Sequence, residues 1–128
     1  MDSVVVVGFV EDSDLDFEMS AQAVATQREG VQLVRASSIA EADVLLTTTG
    51  LRGLIVDVNL PDGSGIEFVR RIKSDGRYAD LPVAVFSTSF ANADREAARK
   101  AGAVAYSEKP FDTETFVRRV LSLIDRIV

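Results

Sequence analysis

The stretch "LIVDVNLPDGSG", residues 54–65, joins a short apolar run to an acidic, glycine-rich turn. Leu54, Ile55 and Val56 are consecutive apolar residues, which is typical of a strand buried on both faces of a parallel sheet. Asp57 follows directly, although aspartate is rarely buried unless it is paired or functional. A strand that ends in a carboxylate indicates a site at that edge of the sheet.

Four more apolar runs occur in the 128 residues, and segments of helical length with apolar stripes separate them. The five runs are residues 4–10, 31–36, 54–56, 83–86 and 104–106. Strands that alternate with helices form a parallel sheet, because each right-handed crossover returns the chain to the same edge. We therefore predict an α/β fold, a flavodoxin-like doubly wound (βα)5 domain with strand order 2-1-3-4-5.

Turn and cap residues agree with this alternation. Ser38 and Glu41 have the spacing of a capping box before the second helix. Each of the first four helical segments precedes a glycine, where a left-handed residue is favoured: Gly30, Gly50, Gly76 and Gly102. No linker or repeat interrupts the chain, so residues 1–128 are predicted to form one domain.

The composition excludes several classes of protein. The chain has no cysteine and no histidine, which excludes disulfides, a Ser-His-Asp triad, Cys- or His-ligated metals and a phosphohistidine of its own. A net charge of -6 and the absence of tryptophan argue against a nucleic-acid partner. The apolar run at residues 4–10 is too short to span a membrane. We expect a cytoplasmic protein with no membrane or nucleic-acid partner.

Polar residues follow the predicted strands at one edge of the sheet. They are Glu11 and Asp12 after strand 1, Asp57 after strand 3, Ser87 and Thr88 after strand 4, and Lys109 after strand 5. Taken singly, Asp12 or Ser13 would cap the first helix, and Lys109 would be a solvated loop residue. Their shared position instead favours a site, because ligands bind beyond the carboxyl ends of strands 1 and 3 in this fold.

Three clustered carboxylates repel one another, by about 4 kcal/mol for each pair at about 4 Å and an effective dielectric near 20. Such a cluster must protonate, separate or bind a cation, and Mg²⁺ is the hard ion that suits carboxylate ligands. A carboxylate beside a bound metal, facing a lysine and a hydroxyl, can accept a phosphoryl group. The residues therefore favour Asp57 as a nucleophile.

Four motifs resemble the receiver domain of two-component response regulators, and together they cover the whole chain. They are "VEDSD" (10–14), "DVNLPDGSG" (57–65), "PVAVFSTS" (82–89) and "AYSEKPF" (105–111). The resemblance implies a phosphoprotein of a phosphorelay, which is not an enzyme and carries an aspartyl phosphate. Thr88 departs from the family pattern, in which alanine or glycine is usual, and a bulkier residue there would crowd the phosphoryl group.

The resemblance also implies the role of each site residue. Mg²⁺ would be held by Glu11, Asp12, Asp57 and the backbone carbonyl of Asn59. Asp57 would be the phosphoacceptor and Lys109 would pair with the phosphoryl group. Ser87 and Tyr106 would form the conformational switch. The peptide bond between Lys109 and Pro110 would be cis.

The expected partners are a histidine kinase or histidine phosphotransferase and a downstream target protein. Candidate partner-facing residues are Leu15, Met19, Pro110, Val117 and Leu121. Packing is an alternative role for Leu15 and Met19, and Val117 and Leu121 equally fit a wider core face of helix 5. A weaker resemblance to single-domain receivers paired with bacterial phytochromes implies a possible homodimer through helix 4, strand 5 and helix 5.

Other functions remain as alternatives. A Mg²⁺-dependent phosphatase with an aspartyl nucleophile would need a second aspartate two residues after Asp57, where this chain has Asn59. A flavin or cobalamin module fits poorly, since the acidic loop after strand 1 repels a flavin phosphate and a cobalamin site would use histidine. An interaction module that is not phosphorylated would lack the acceptor or the lysine, and both are present.

Overall fold

A parallel sheet of five strands forms the centre of the computed structural model, which describes residues 4–89 and 91–128. The elements are β1 (Val5–Val10), α1 (Asp14–Gln27), β2 (Val31–Ala36), α2 (Ile39–Thr48), β3 (Gly53–Val56), β4 (Asn59–Leu60), β5 (Gly63–Ser64), α3 (Gly65–Lys73), a 3-10 turn (Gly76–Tyr78), β6 (Val83–Ser87), α4 (Asn92–Ala101), β7 (Ala105–Glu108) and α5 (Thr113–Ile127). All five predicted strands are present in the sheet.

The strands of the sheet lie in the order β2-β1-β3-β6-β7. Because β6 and β7 are the fourth and fifth strands of the sheet along the chain, the predicted order 2-1-3-4-5 is confirmed. Val10 of β1 pairs with Val56 of β3, so Glu11 and Asp57 leave the sheet side by side. The remaining strands, β4 and β5, form a short antiparallel hairpin directly after Asp57, where the sequence indicated only a turn.

Two hydrophobic clusters cover the two faces of the sheet. One contains Val56, Phe68 and Ala98 and packs α2, α3 and α4 onto the sheet. The other contains Phe86 and Ile124 and packs α1 and α5 onto the opposite face. Burial of an apolar side chain of this size contributes about 1.5–3 kcal/mol, so the two clusters hold the strand ends in fixed positions.

Side-chain caps define where the helices begin. The Ser38 hydroxyl accepts a hydrogen bond from the Glu41 N–H at 3.1 Å, as the capping box predicts. The Glu41 carboxylate returns to the N–H of Ser37 at 2.9 Å rather than to that of Ser38. Ser13 caps α1 by accepting from the Asp16 N–H at 3.2 Å. Among the described residues, no helix combines the length and the apolar composition needed to cross a membrane.

The glycine predictions are confirmed in part. Gly102 ends α4 in the left-handed conformation with φ 108°. Gly30 also has a positive φ, but it lies beyond the end of α1 at Gln27. Gly50 and Gly76 do not have a positive φ, so the prediction is wrong for both. The reason is local, since α2 ends through an extended Thr49 and Gly76 begins the 3-10 turn.

Candidate functional site

Three carboxylates meet at the carboxyl ends of β1 and β3. One oxygen each of Glu11, Asp12 and Asp57 lies within 4.8 Å of the other two. Glu11 and Asp57 are buried, with exposed fractions of 0% and 7%, whereas Asp12 is exposed. Asp12 does not cap α1, because Ser13 has that role. Three convergent carboxylate oxygens with one open side form a set that Mg²⁺ prefers.

The Lys109 side chain enters this cluster from the loop after β7. Its ammonium donates hydrogen bonds to Asp57 Oδ2 at 3.0 Å, to Asp16 Oδ2 at 2.9 Å and to Glu11 Oε1. Lys109 is only 6% exposed, so these ion pairs are shielded from water. A buried charge is tolerated only when it is paired, and here the ammonium is paired three times.

The electrostatics of the cluster shift two pKa values. Burial raises the pKa of Glu11 to about 7, although the neighbouring Lys109 ammonium opposes the shift. Burial alone would lower the pKa of Lys109, but the Asp57 and Glu11 carboxylates outweigh it and raise that pKa above its ordinary value. Lys109 is therefore charged at neutral pH, while the charge of Glu11 changes near pH 7.

The bond between Lys109 and Pro110 is trans, since the described residues contain no cis peptide bond. The predicted cis bond is therefore wrong. A trans bond is the isomer that an X-Pro bond favours intrinsically, by about 0.5–1 kcal/mol. The loop is fixed at this point because the Lys109 N–H donates to the Ser87 carbonyl at 2.8 Å.

The backbone around Asp57 is held by its neighbours. The Asp57 N–H donates to the Val10 carbonyl at 3.0 Å, which extends the pairing of β1 and β3. Gly65, the first residue of α3, donates its N–H to the Val58 carbonyl at 2.7 Å. A Cβ at position 65 would overlap the Asp57 carbonyl oxygen, so the close approach of α3 requires glycine. The Asn59 N–H lies 3.4 Å from Asp57 Oδ1.

The hairpin after Asp57 is tied to the start of α2. The Asp62 carboxylate accepts hydrogen bonds from the N–H groups of Ile39 at 2.8 Å and Ala40 at 3.0 Å. These bonds lower the pKa of Asp62, because they favour the charged form. The first N–H groups of a helix have no partner within the helix, so a distant residue supplies the cap here. This role of Asp62 was not predicted.

Ser87 and Tyr106 are connected through Ser89. Ser87 ends β6 with no exposed surface, and its Oγ lies 3.4 Å from the Ser89 N–H. The Tyr106 hydroxyl donates to the Ser89 carbonyl at 3.0 Å. Burial raises the pKa of Tyr106. The sequence indicated Ser87 and Tyr106, but it gave no sign that Ser89 lies between them.

A groove of about 240 Å³ opens beside Lys109, between α1 and the loop before α5. Three of the predicted partner-facing residues line it: Leu15, Met19 and Pro110. Leu15 is 64% exposed, and Phe111, which was not predicted, is 98% exposed. Thr88 is exposed and also lines this groove. The groove therefore places apolar surface next to the acidic cluster.

The two remaining partner-facing candidates lie on α5. Leu121 is buried with an exposed fraction of 7%, so the core alternative describes it and it is not available to a partner. The buried face of α5 includes Leu121 because α1 packs against α5, in addition to the packing of α5 on the sheet. Val117 is partly buried against the same cluster. It also lines a second groove with Met19.

Asp16 is the site residue that the sequence motifs do not include. Its carboxylate contacts Lys109, and its side chain is 23% exposed. The sequence feature that could have indicated Asp16 is its position in the first turn of α1, directly after the acidic loop. That position alone fits a favourable interaction with the helix dipole equally well. Only the approach of the loop after β7 shows that Asp16 reaches the site.

The chain matches the family model described as the response regulator receiver domain over residues 7–121. The polar-differentiation response regulator DivK of Brucella ovis is 26% identical over 118 residues, which cover 92% of this chain and 94% of DivK. A chemotaxis protein CheY homolog of Campylobacter jejuni is 30% identical over 78 residues. That match covers 61% of this chain and 60% of the length of the relative.

Two solved structures have the same fold at lower identity. The phosphorylated cyanobacterial phytochrome response regulator RcpA has a TM-score of 0.89 and 23% identity, covering 96% of this chain and 93% of its own. The Mn²⁺-bound form of response regulator Rcp1 has a TM-score of 0.85 and 23% identity, covering 93% and 91%. At this identity the likeness shows the fold alone.

Proposed function

This chain belongs to the response regulator receiver domain family of two-component systems, and we propose that it accepts a phosphoryl group on Asp57 in a Mg²⁺-dependent reaction. The observation that carries this proposal is the contact of 3.0 Å between the Lys109 ammonium and the Asp57 carboxylate, inside a cluster of three acidic residues. A buried nucleophile, a buried cation and a set of metal ligands share one small volume. Structural ion pairing alone would not need the exposed third carboxylate of Asp12.

In the proposed reaction, a carboxylate oxygen of Asp57 attacks the phosphorus atom of the donor in line with the leaving group. A bond forms between this oxygen and phosphorus, and the bond between phosphorus and the donor atom breaks. The donor atom leaves with the electron pair, and the product is an acyl phosphate on Asp57. The chain has no histidine. A phosphohistidine donor would therefore lie outside these 128 residues, and we propose a histidine kinase or histidine phosphotransferase.

The residues present fit a divalent cation. Glu11, Asp12 and Asp57 would hold Mg²⁺ through carboxylate oxygens, with the Asn59 carbonyl as a further ligand. When bound, the ion would offset the negative charge that gathers around the acceptor. A Mn²⁺-bound form is known for Rcp1, which has the same fold. Lys109 would pair with one phosphoryl oxygen, and the Ser87 hydroxyl would donate a hydrogen bond to another.

The proposed signal leaves the site through Ser87 and Tyr106. If the Ser87 hydroxyl turns toward the phosphoryl group, its contact with the Ser89 N–H is lost. Ser89 also holds the Tyr106 hydroxyl at 3.0 Å, so the two side chains respond to the same loop. Tyr106 belongs to the face formed by α4, β7 and α5, which would bind a downstream protein or a second copy of the chain. Phosphorylation would thus change the populations of two arrangements of this face.

The direct test is covalent labelling. Incubation with acetyl phosphate and Mg²⁺ should add the mass of one phosphoryl group to the wild type, and hydroxylamine should remove it. Asp57→Asn should fold but remain unlabelled, because an amide is not a nucleophile. Asp80→Asn is a matched control in an exposed position, and it should be labelled like the wild type. A label that resists hydroxylamine, or one that persists in Asp57→Asn, would contradict the proposal.

A further inference from the structure

Asp16 adds a fourth carboxylate to the site, outside the three that converge as metal ligands. An ammonium has three N–H donors. In this structure, the three donors of Lys109 have three carboxylate acceptors, which belong to Glu11, Asp16 and Asp57. The side chain of Lys109 is only 5% exposed, so water has little access to its ammonium and cannot readily replace a carboxylate as acceptor. A phosphoryl oxygen that pairs with Lys109 must therefore replace one of the three.

The three acceptors differ in how readily they can release the lysine. Glu11 has a side chain that is 1% exposed, and the Ser13 N–H also holds its carboxylate at 3.0 Å. Asp57 is itself the proposed acceptor. Asp16 has a side chain that is 23% exposed and borders the open groove, so water can solvate its carboxylate once it leaves Lys109. Asp16 is the partner that can be displaced at the lowest cost.

We propose that Asp16 is a positioning residue that competes with the incoming phosphoryl group for the Lys109 ammonium and thereby slows phosphorylation by small anionic donors. This role rests on the proposed function of Asp57. Two effects act in the same direction. The negative charge of Asp16 repels an anionic donor at the mouth of the site, and its hydrogen bond occupies the lysine that would stabilise the donor. The charge causes the repulsion and strengthens the hydrogen bond, so an isosteric amide should remove the first effect and weaken the second.

The experiment measures the rate of phosphorylation by acetyl phosphate in the wild type and in Asp16→Asn. We expect Asp16→Asn to react about tenfold faster, at the lower end of the roughly 10- to 1000-fold changes in association rate that charges lining a cleft produce. Asp16→Glu restores the charge and should return the rate toward that of the wild type. Salt screens partly exposed charges, so the ratio of the Asp16→Asn rate to the wild-type rate should fall as the ionic strength rises.

A matched control separates this role from the effect of net charge. Asp14→Asn removes one charge from the same turn of α1, but Asp14 is exposed and pairs with Arg35 at 2.6 Å instead of with Lys109. We expect its rate to stay close to that of the wild type. An equal acceleration in Asp14→Asn, or no acceleration in Asp16→Asn, would overturn the role of Asp16. Failure of the wild type to become labelled at all would instead overturn the proposed function.

A second measurement does not depend on the reaction. Trifluoroberyllate with Mg²⁺ mimics a phosphoryl group on a carboxylate, and calorimetry can measure its binding. Asp16→Asn should bind it more tightly than the wild type and Asp14→Asn should not, while thermal melting verifies that all the variants are folded. Equal affinities of the wild type and Asp16→Asn would count against competition for Lys109.

Discussion

Lys109 donates a hydrogen bond of 3.0 Å to Asp57, across 52 positions of the chain. The two residues follow β7 and β3, which are separated in the sheet by β6. The same ammonium also reaches Glu11 at the end of β1. One side chain therefore connects the ends of three strands, and its positive charge offsets the repulsion between the two buried carboxylates.

The first prediction concerns Asp12, the exposed member of the acidic cluster. Asp12→Ala removes one of three mutually repelling charges, so the Tm of the protein in EDTA should rise or stay level. The same change removes a metal ligand, so Mg²⁺ should no longer raise the Tm and acetyl phosphate should no longer label Asp57. Thermal melting with and without Mg²⁺, together with mass spectrometry, measures both effects.

Glu18→Ala is the control for Asp12→Ala, because Glu18 is an exposed carboxylate on α1 outside the cluster. It should keep the stabilisation by Mg²⁺ and the labelling of the wild type. Labelling of Asp12→Ala to the extent of the wild type would show that Asp12 is not a metal ligand on which phosphorylation depends.

The second prediction concerns pH and follows from Glu11. Its pKa is about 7 in the folded protein against an ordinary value of 4.5, so the folded state binds the proton more tightly. A raised carboxyl pKa gives stability that is present below about pH 4.5 and is lost as the pH rises through about 7. The free energy of unfolding in EDTA should therefore fall by about 1–3 kcal/mol between pH 5 and pH 8.

Glu11→Gln tests this assignment, because an amide does not titrate. Its free energy of unfolding, measured with urea, should change much less over the same interval. Mg²⁺ should bind the wild type more tightly at pH 8 than at pH 6, since Glu11 must lose its proton to act as a ligand. An equally steep loss of stability in Glu11→Gln would assign the titration to another group.

The third prediction concerns the cap that Asp62 provides for α2. Asp62→Ala leaves the N–H groups of Ile39 and Ala40 without their carboxylate, and the Tm should fall by about 2–5 °C. Asp80→Ala is the control, because Asp80 is exposed and its carboxylate makes no hydrogen bond to the described residues. The hairpin should also loosen in Asp62→Ala, which faster amide exchange near Asn59 would report. Equal Tm values for the two variants would show that the cap from Asp62 does not contribute to the stability of the protein.

The fourth prediction concerns the proposed dimer through α4, β7 and α5. Phosphorylation should raise the mass measured by light scattering, and Arg118→Glu should weaken this change. Arg118 is the better position for the test because it is exposed. Arg119 instead donates to the Glu108 carbonyl at 2.6 Å, so a change there would disturb the fold.

Arg52→Glu is the control for the dimer, because Arg52 is exposed and precedes β3, the central strand, so it does not belong to α4, β7 or α5. It should associate like the wild type. A protein that stays monomeric with and without a phosphoryl group would exclude the dimer and leave binding of a different downstream protein.

The sequence was sufficient for the order of the strands and for the cluster of carboxylates. Both depend on short apolar runs and on the residue that follows each run, and these are local features. Residues 54–56 were predicted as a strand, and β3 spans Gly53–Val56. Once the strands are parallel, their carboxyl ends must share one edge, so Glu11 and Asp57 had to be neighbours.

The contacts that could not be predicted join residues that are distant in the chain. Asp62 caps a helix that begins 23 positions earlier, and Asp16 reaches Lys109 across 93 positions. Each depends on the path of a loop, which propensity and periodicity do not specify. Leu121 was ambiguous for a related reason, because the width of a core face depends on which helices pack against it.

The contact between Gly65 and the Asp57 carbonyl has a consequence for how this chain can change in evolution. A substitution at position 65 would force α3 away from the sheet, and the core residue Phe68 would move with the helix. Such a variant would be less stable whether or not the proposed phosphoryl transfer were affected. Selection for a folded protein would therefore be enough to preserve the backbone that presents Asp57. Variants of this chain that lost the proposed phosphoryl transfer would still need glycine at position 65 to keep α3 packed on the sheet.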